Sequence, residues 1–206
     1  PIALLVTGFL SFIVIGPITF AIGNMITDGV VGIFDAAPAI GGLIYGGLYA
    51  PLVITGMHHT FLAVDLQLIG TIGGTFLWPM VALSNIAQGS AAFAMMFADK
   101  NNEKLKGLSM TSGISAWLGI TEPAMFGVNL RYRYPFIAAI IGSAIAGIVI
   151  TLRGVMAPSI GVGGIPAFLS IFNEFWGVFF IGMGIAIVVP FVLTFIIAKT
   201  RKKKEA

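Results

Sequence analysis

The stretch GITEPAMFGVNL, Gly119–Leu130, places one carboxylate, Glu122, inside an otherwise uncharged and mostly apolar run, directly before Pro123. An ionisable group at the centre of a bilayer costs at least about 2.5 kcal/mol on insertion scales, so such groups usually have a partner, face the inside of a helix bundle and carry a function. Whether this interpretation applies to Glu122 depends on whether the chain lies in a membrane.

The composition of the chain indicates an integral membrane protein. Of its 206 residues, 58% are hydrophobic and 9% are charged, whereas a soluble globular domain carries roughly 25% charged residues. A helix needs about 20 apolar residues to cross a hydrocarbon core of about 30 Å. Five windows meet this length: Ile2–Ala21, Ala36–Met57, Leu77–Ala98, Tyr134–Leu152 and Phe175–Ala198. We therefore predict an all-α, polytopic membrane protein.

Charge and cysteine content exclude several other classes of protein. The net charge of +3 arises mostly from the last eight residues, KTRKKKEA, which is typical of a basic tail beside a membrane and not of a surface that binds nucleic acid. The chain has no cysteine, and we expect neither a metal site nor a cofactor. Pro1 opens an apolar run without a charged n-region, unlike a signal peptide, so we expect the C-terminal part of a longer polypeptide.

Several segments depart from plain membrane-spanning helices. Gly56–Gly74 and Gly107–Leu130 are hydrophobic but carry polar residues, glycines and, in the second, a proline. Broken backbone at membrane depth persists only where it is buried in protein or lines a cavity, so we predict broken helices here. Gly154–Phe168 is rich in glycine and proline and predicts a loop or a short interfacial segment. The small residues of GGLIYGGLYA, Gly41–Ala50, predict a close helix-packing face.

Basic residues predict the orientation of the chain. They form three clusters: Lys100, Lys104 and Lys106; Arg131 and Arg133; and Lys199 with Arg201–Lys204. The positive-inside rule places all three clusters, and the C-terminus, in the cytoplasm. Because only Gly107–Leu130 separates the first two clusters, that segment enters the membrane and returns as a re-entrant hairpin with Glu122 near its tip. Phe20–Asp35 is too polar to span and is expected along the interface.

Four ionisable residues are candidates for a functional site. Glu122 either caps a helix or pairs with Arg131 in a loop at headgroup level, or it lies in a polar cavity, where it accepts hydrogen bonds from a hydroxylated solute or acts as a base. His58 and His59 are adjacent, so their side chains should diverge and one should face the site; alternatively, a core histidine bonds a backbone carbonyl. Asp65 either joins the same polar lining or lies at an interface.

Three longer stretches carry a family resemblance: TGMHHTFLAVDLQLI (Thr55–Ile69), WPMVALSNIAQGSAAFAMMF (Trp78–Phe97) and LGITEPAMFGVNLRYRYPF (Leu118–Phe136). In this order they resemble the enzyme IIC membrane subunits of the bacterial sugar phosphotransferase system, in the glucose superfamily. The amino-acid sequence of these stretches is most similar to the trehalose-specific members, with sucrose-specific and β-glucoside-specific members next. The Gly-Ile-Thr-Glu-Pro motif is specific to this family, whereas the choice among disaccharides depends on overall sequence similarity.

The resemblance implies an architecture and an activity. It implies a homodimer in the bacterial cell membrane, with residues 1–20 as the last scaffold helix, 21–35 as an interfacial connector, 36–198 as the sugar transport domain and 199–206 as a cytoplasmic tail. Such a subunit imports a disaccharide that a phosphocysteine of a separate IIB domain phosphorylates at a 6-hydroxyl. The expected partners are therefore the sugar, phosphorylated IIB, a second copy and the lipid bilayer, and the chain alone should be inactive.

The resemblance also implies roles for individual residues. Glu122 would bind the sugar and take the proton of its reacting hydroxyl, and one of His58 and His59 would bind another hydroxyl. Beyond the resemblance, we also predict that Thr121, Asn129 and Asp65 belong to the binding site. The residues alone leave other classes open: an ion-coupled secondary sugar transporter would use the same carboxylate as a proton or sodium site. A structural or receptor-like subunit is disfavoured by the polar residues within broken spans.

Overall fold

The protein is described from a computed structural model, which covers residues 2–10, 13, 16–98 and 102–205. Ten α-helices lie in these ranges: α1 Ile2–Leu10, α2 Gly16–Ala36, α3 Pro38–Thr55, α4 His58–Ile72, α5 Leu77–Ala98, α6 Glu103–Trp117, α7 Glu122–Ala124, α8 Leu130–Tyr132, α9 Tyr134–Leu152 and α10 Trp176–Glu205. A π-helix at Met125–Asn129 and two 3-10 helices, Ile165–Ser170 and Asn173–Phe175, lie between them. The described residues form no β-strand beyond one isolated bridge, between Thr75 and Ala157.

Four helical segments are long and apolar enough to cross a membrane: Pro38–Thr55, Leu77–Ala98, Tyr134–Leu152 and Asn173–Arg201. They confirm four of the five predicted windows and the all-α membrane class. The remaining window, Ile2–Ala21, falls on α1 and the start of α2 and lies partly outside the described residues. Helix α2 continues without a break from Gly16 to Ala36. The predicted boundary between the scaffold helix, residues 1–20, and the interfacial connector, residues 21–35, therefore falls within one helix. The division into domains stays a prediction.

Helix α5 lies at the centre of the bundle. Every residue from Leu77 to Ala92 is buried, and the helix packs against α6, α9 and α10. Its buried polar residues are Ser84, Asn85, Gln88 and Ser90. Since unpaired polar groups are costly in an apolar environment, this position surrounded by protein explains how a spanning helix carries four of them.

Helices α3 and α9 approach each other closely through small residues. A Cβ atom added at Gly42 would lie 2.5 Å from the carbonyl oxygen of Gly147, and one added at Gly147 would lie 2.3 Å from that of Gly42. The hydroxyl of Ser143 donates to the carbonyl of Gly46 at 2.6 Å. These contacts confirm the packing face predicted for the glycine-rich run of α3, because only hydrogen side chains permit such an approach.

The polar segment that follows α3 forms one continuous helix, α4. The chain bends at Gly56, with φ 76°, and at Gly73, with φ 80°, so the predicted interruptions lie at the two ends of α4 and not within it. Its 15 residues span about 22 Å at 1.5 Å per residue, which is shorter than a hydrocarbon core. The polar side chains find protein partners instead: the hydroxyl of Thr27 on α2 donates to Gln67.

The segment around the opening carboxylate forms a helical hairpin. Helix α6 ends at Trp117, and the chain reverses direction. It continues through α7 and the π-helix, which pack back against α6 and α5, and then through α8, which packs against α9. The hairpin shape agrees with the sequence, while its entry into a membrane stays a prediction. Residues 154–164 form turns and irregular structure, as predicted, and a 3-10 helix begins at Ile165.

Candidate functional site

The turn of the hairpin has the hydrogen bonds of a Schellman motif, which closes helices on a glycine. The amide of Ile120 donates to the carbonyl of Ser115 at 2.9 Å, and the amide of Gly119 donates to that of Ala116 at 3.0 Å. Gly119 has φ 100°, a left-handed conformation that favours glycine. The hydroxyl of Ser115 adds a bond of 3.0 Å to the carbonyl of Ile120. The motif ends α6 and fixes the direction in which the next residues leave.

Those next residues are Thr121 and Glu122, which start the returning helix. Pro123 lies in the first turn of that helix, where the missing amide proton of proline carries no penalty. The side chain of Thr121 is buried, whereas Glu122 is exposed. Among the described residues the one ion pair joins Lys106 to Glu103 at 3.8 Å. Glu122 is therefore not paired with Arg131, and its carboxylate is available to another group.

The two histidines lie at the start of α4, with their ring centroids 4.0 Å apart. The expectation that the side chains diverge is wrong, because the backbone directs only the Cβ atoms and rotation about χ1 and χ2 brings the rings together. Their environments nevertheless differ: His58 is partly buried and His59 is exposed.

The imidazole of His58 is partly buried, and its surroundings affect its protonation. Its Nδ1 atom is buried and has no partner of good hydrogen-bond geometry among the described residues, although the Leu52 carbonyl lies close enough to favour the protonated ring. Burial lowers the pKa of His58, and His59 lowers it further, while the Leu52 carbonyl and Glu122 act in the opposite direction. The net effect favours the neutral imidazole, which has one donor and one acceptor for hydrogen bonds.

Two helices are in contact at this point of the structure, and a charged residue of a third element acts on both. The ring of Tyr49 on α3 lies edge-on to His58 on α4, with centroids 6.2 Å apart. The carboxylate of Glu122, at the hairpin turn, is close enough to act electrostatically on both Tyr49 and His58. The structure thus brings Glu122 and His58, predicted separately from two distant motifs, into one neighbourhood.

Tyr49 was missed in the sequence, where its stretch indicated only helix packing. Tyr45 lies one turn earlier on α3, with its ring centroid 6.0 Å from that of Tyr49. Both rings are buried, and the hydroxyl of Tyr45 is buried without a hydrogen-bond partner among the described residues. The available signal was the spacing of the two tyrosines, four residues apart on a single helix face.

Asp65 contacts a different element. Its side chain is 1% exposed, and the hydroxyl of Thr75 donates to its Oδ1 atom at 2.5 Å. The amide of Trp78, in the first turn of α5, also favours the carboxylate, but burial is the larger effect and raises the pKa of Asp65 to about 6. These contacts tie α4 to the start of α5. They give the carboxylate a structural partner, and Asp65 also lies close enough to act electrostatically on Tyr49. Substrate binding by Asp65 stays an untested prediction.

Asn129 also bonds within the protein. It is fully buried at the end of the π-helix, and its Nδ2 atom donates to the backbone carbonyl of Gln88 at 2.9 Å and to Oε1 of the same residue at 2.7 Å. The Oδ1 atom of Asn129 and the Nε2 atom of Gln88 are buried without partners among the described residues. The pair joins the returning, helical half of the hairpin to α5, and substrate binding by Asn129 stays a prediction.

The grouped side chains can bind a hydroxylated solute. Glu122 supplies acceptor oxygens, and His58 and Tyr49 supply groups that both donate and accept hydrogen bonds. In the described part of the chain, no group of three or more His, Cys, Asp or Glu side chains comes together to hold a metal ion. The geometry supports hydrogen bonding and proton transfer at the Glu122 carboxylate.

The spanning helices and the hairpin with a carboxylate at its turn define a polytopic α-helical membrane protein of the kind that binds solutes at broken helices. The chain belongs to the EIIC family of the phosphotransferase system: the family model described as "Phosphotransferase system, EIIC" matches residues 2–143. The resemblance seen in the sequence is thereby confirmed.

Several curated proteins of this family are similar to the chain. The chain is 65% identical over 204 residues to a PTS system trehalose-specific EIIBC component of Bacillus subtilis (strain 168), with 98% of this chain and 43% of the relative covered. A trehalose-specific EIIBC component of Escherichia coli (strain K12) is 51% identical, with 93% and 41% covered. A sucrose-specific EIIBC component of Staphylococcus xylosus is 52% identical, with 84% and 37% covered. The chain thus spans less than half the length of these relatives. No solved structure matches it.

Proposed function

We propose that this chain is the sugar-translocating part of a phosphotransferase-system permease that imports a disaccharide, with trehalose as the first candidate. Membership of the EIIC family and the names of the relatives at 65% and 51% identity support this substrate class. The single observation that supports a site is the contact between His58 and Tyr49, on both of which the carboxylate of Glu122 acts electrostatically. A carboxylate beside an imidazole and a phenol suits a ligand that offers many hydroxyl groups.

The proposed mechanism couples movement of the sugar to phosphoryl transfer. The sugar enters from outside, the transport domain moves relative to the scaffold, and a 6-hydroxyl reaches phosphorylated EIIB at the cytoplasmic face. Glu122 accepts the hydroxyl proton as the sugar oxygen attacks the phosphorus of the EIIB phosphocysteine. The new bond is O–P, the bond that breaks is S–P, and the leaving group is the cysteine thiolate. Alignment governs such transfers, because the protein contributes mainly positioning and charge stabilisation.

The surroundings of the predicted residues suggest a division of roles. Glu122 binds the sugar and acts as the base, and His58 contributes a hydrogen bond, with the exposed His59 beside it. Thr121 precedes the acid and is buried, which suits a residue that orients the turn. Asp65 and Asn129 have partners on α5, and we assign them to holding the helices around the site.

Partners and orientation are part of the same proposal. An EIIB domain supplies the phosphoryl group, in keeping with the EIIBC names of the relatives. The basic residues of the tail favour a cytoplasmic C-terminus, and two copies associate through scaffold helices. Because the chain spans 43% of the length of the Bacillus subtilis relative, the complete activity is proposed for the full-length protein.

A second substrate has a specific observation in its favour. The Staphylococcus xylosus relative, named sucrose-specific, is 52% identical to this chain, close to the 51% of the trehalose-specific relative from Escherichia coli. The test is uptake of labelled trehalose and sucrose by cells that make the full-length protein, with and without the phosphocarrier proteins. Carrier-dependent accumulation of phosphorylated trehalose supports the proposal. Accumulation of unmodified sugar driven by an ion gradient contradicts it.

A further inference from the structure

The hairpin turn that carries Glu122 is contacted by residues that lie outside the hairpin segment Gly107–Leu130. One is Asn85, a buried polar residue of α5. The others belong to the glycine-rich loop GVGG, Gly161–Gly164, between α9 and α10. Both reach the backbone of Gly119, three residues before the carboxylate.

Asn85 reaches the turn through a hydrogen bond. Its Nδ2 atom donates to the carbonyl oxygen of Gly119 at 3.4 Å, across 34 residues of sequence. The same Nδ2 atom lies 2.5 Å from the position that a Cβ atom on Gly163 would occupy. Asn85 therefore lies between the turn and the loop, and it fits there because Gly163 has no side chain.

The loop and the turn touch backbone to backbone. A Cβ atom on Gly119 would lie 2.9 Å from the Cα atom of Gly163 and 3.0 Å from the N and C atoms of that residue. A Cβ atom on Gly164 would lie 2.2 Å from the carbonyl oxygen of Trp117. Backbone atoms at these distances cannot move aside as the end of a flexible side chain can. The loop therefore fixes how far the turn can move outward.

The residue before the turn is anchored as well. The indole Nε1 atom of Trp117 donates to the hydroxyl of Ser90 on α5 at 3.1 Å, and its ring packs on Phe93, with centroids 4.6 Å apart. The end of α6 is thus attached to the same helix that carries Asn85. The turn is thus held on one side by side chains of α5 and on the other by the backbone of the loop Gly161–Gly164.

We propose that Asn85 and Gly163 are positioning residues for Glu122: together they set where the hairpin turn, and hence the carboxylate, lies relative to His58 and Tyr49. The inference rests on the proposed function, in which Glu122 binds sugar. Displacement of a catalytic group by about 1 Å is enough to lower a rate by about a hundredfold. A buried amide and a glycine that contact the turn therefore affect the site through the position of Glu122.

The test uses Asn85→Ala and Gly163→Ala in the full-length protein, reconstituted in lipid nanodiscs, with sugar affinity and phosphorylation-coupled uptake as readouts. We expect each change to lower sugar affinity about tenfold, as loss of a well-placed charged hydrogen bond does. Gly177→Ala and Gly184→Ala are matched controls, because a Cβ atom at either position meets nothing within 4 Å. Wild-type affinity in both Asn85→Ala and Gly163→Ala would overturn the proposal.

A double-mutant cycle separates positioning from general damage to the fold. If Asn85 acts through Glu122, Asn85→Ala lowers the residual affinity of a Glu122→Ala protein by less than about twofold, because the effects of coupled residues do not add. An undiminished tenfold loss in that background makes Asn85 merely structural and overturns the inference alone. Wild-type affinity and uptake in Glu122→Ala itself would instead overturn the proposed function. Asn85→Ala removes side-chain atoms without adding any, so the cycle remains available if Gly163→Ala does not fold.

Discussion

The ring of Tyr49 meets the imidazole of His58 edge-on, with an interplanar angle of 76° and centroids 6.2 Å apart. The contact joins α3 to the start of α4 and places both rings within electrostatic range of Glu122. A buried phenol ring therefore packs against the imidazole, and the Glu122 carboxylate acts on both through its charge. This arrangement makes α3 part of the candidate site.

We expect Tyr49→Phe to lower sugar affinity by about two- to tenfold, the range for one neutral hydrogen bond of about 0.5–1.5 kcal/mol. The ring that packs on His58 is kept, so the protein should fold normally. Tyr45→Phe is the matched control, because its hydroxyl is buried without a partner among the described residues and its removal should leave affinity unchanged. Isothermal calorimetry on the full-length protein measures both. Equal affinities in all three proteins would remove Tyr49 from the site.

The two histidines should respond unequally to substitution. His58→Ala removes a partly buried ring next to Tyr49 and Glu122, whereas His59→Ala removes an exposed ring. We expect His58→Ala to weaken sugar binding about tenfold or more and His59→Ala by less than about threefold, as for loss of one buried or one exposed hydrogen bond. The comparison needs only the two variants and a binding assay. A larger loss of sugar affinity in His59→Ala than in His58→Ala would show that His59, and not His58, is the histidine that binds sugar.

Asp65 should make stability depend on pH. The folded protein binds its proton more tightly than the unfolded chain, since burial raises the pKa of Asp65 from 3.8 to about 6. Its stabilising contribution is therefore complete below about pH 4 and is lost as the pH rises to about 6, by at most about 3 kcal/mol at 1.36 kcal/mol per pKa unit. Asp65→Asn should remove this slope from melting temperatures measured in detergent between pH 4 and 7. The exposed Asp35, changed to Asn, should leave the slope unaltered.

The sequence predicts the turn better than it predicts the lining of the site. Gly119 and Pro123 indicate where the hairpin reverses, because both act through local backbone geometry. Asp65 and Asn129 have the same polar character as a ligand-binding residue, and only their partners reveal another role. Those partners, Thr75 and Gln88, lie 10 and 41 residues away in the chain.

The same limit applies to the helices and the aromatic rings. Polar residues in Gly56–Gly74 predicted broken backbone, but Gln67 and Asp65 have hydrogen-bond partners outside α4, Thr27 and Thr75, and α4 stays continuous. In the sequence Tyr49 looked like a packing residue. Its proposed role depends on Glu122 of the hairpin, which lies 73 residues further along the chain. Local propensity is visible in one sequence, whereas long-range contact is not.

The topology of the hairpin is open to direct labelling. We expect cysteines introduced at Glu103 and at Arg131 to react from the cytoplasmic side, because a re-entrant segment returns to the face from which it entered. Both residues are exposed, so a maleimide can reach a cysteine at either position. A membrane-impermeant maleimide applied to intact cells and to inside-out vesicles distinguishes the sides. Labelling of the two positions from opposite faces would show that the segment crosses the membrane.

The central test concerns Glu122. We expect Glu122→Gln in the full-length protein to fold and to retain part of its sugar binding, because the amide keeps the shape and one acceptor oxygen. It should lose most phosphorylation-coupled uptake, because an amide cannot take the proton of the sugar hydroxyl. Glu122→Ala should lose binding as well, by about ten- to a hundredfold for a charged hydrogen bond of about 1.5–3 kcal/mol. Uptake of labelled sugar and equilibrium binding, measured on the same variants, separate these effects. Wild-type uptake with phosphorylation intact in Glu122→Gln would make the carboxylate a structural residue.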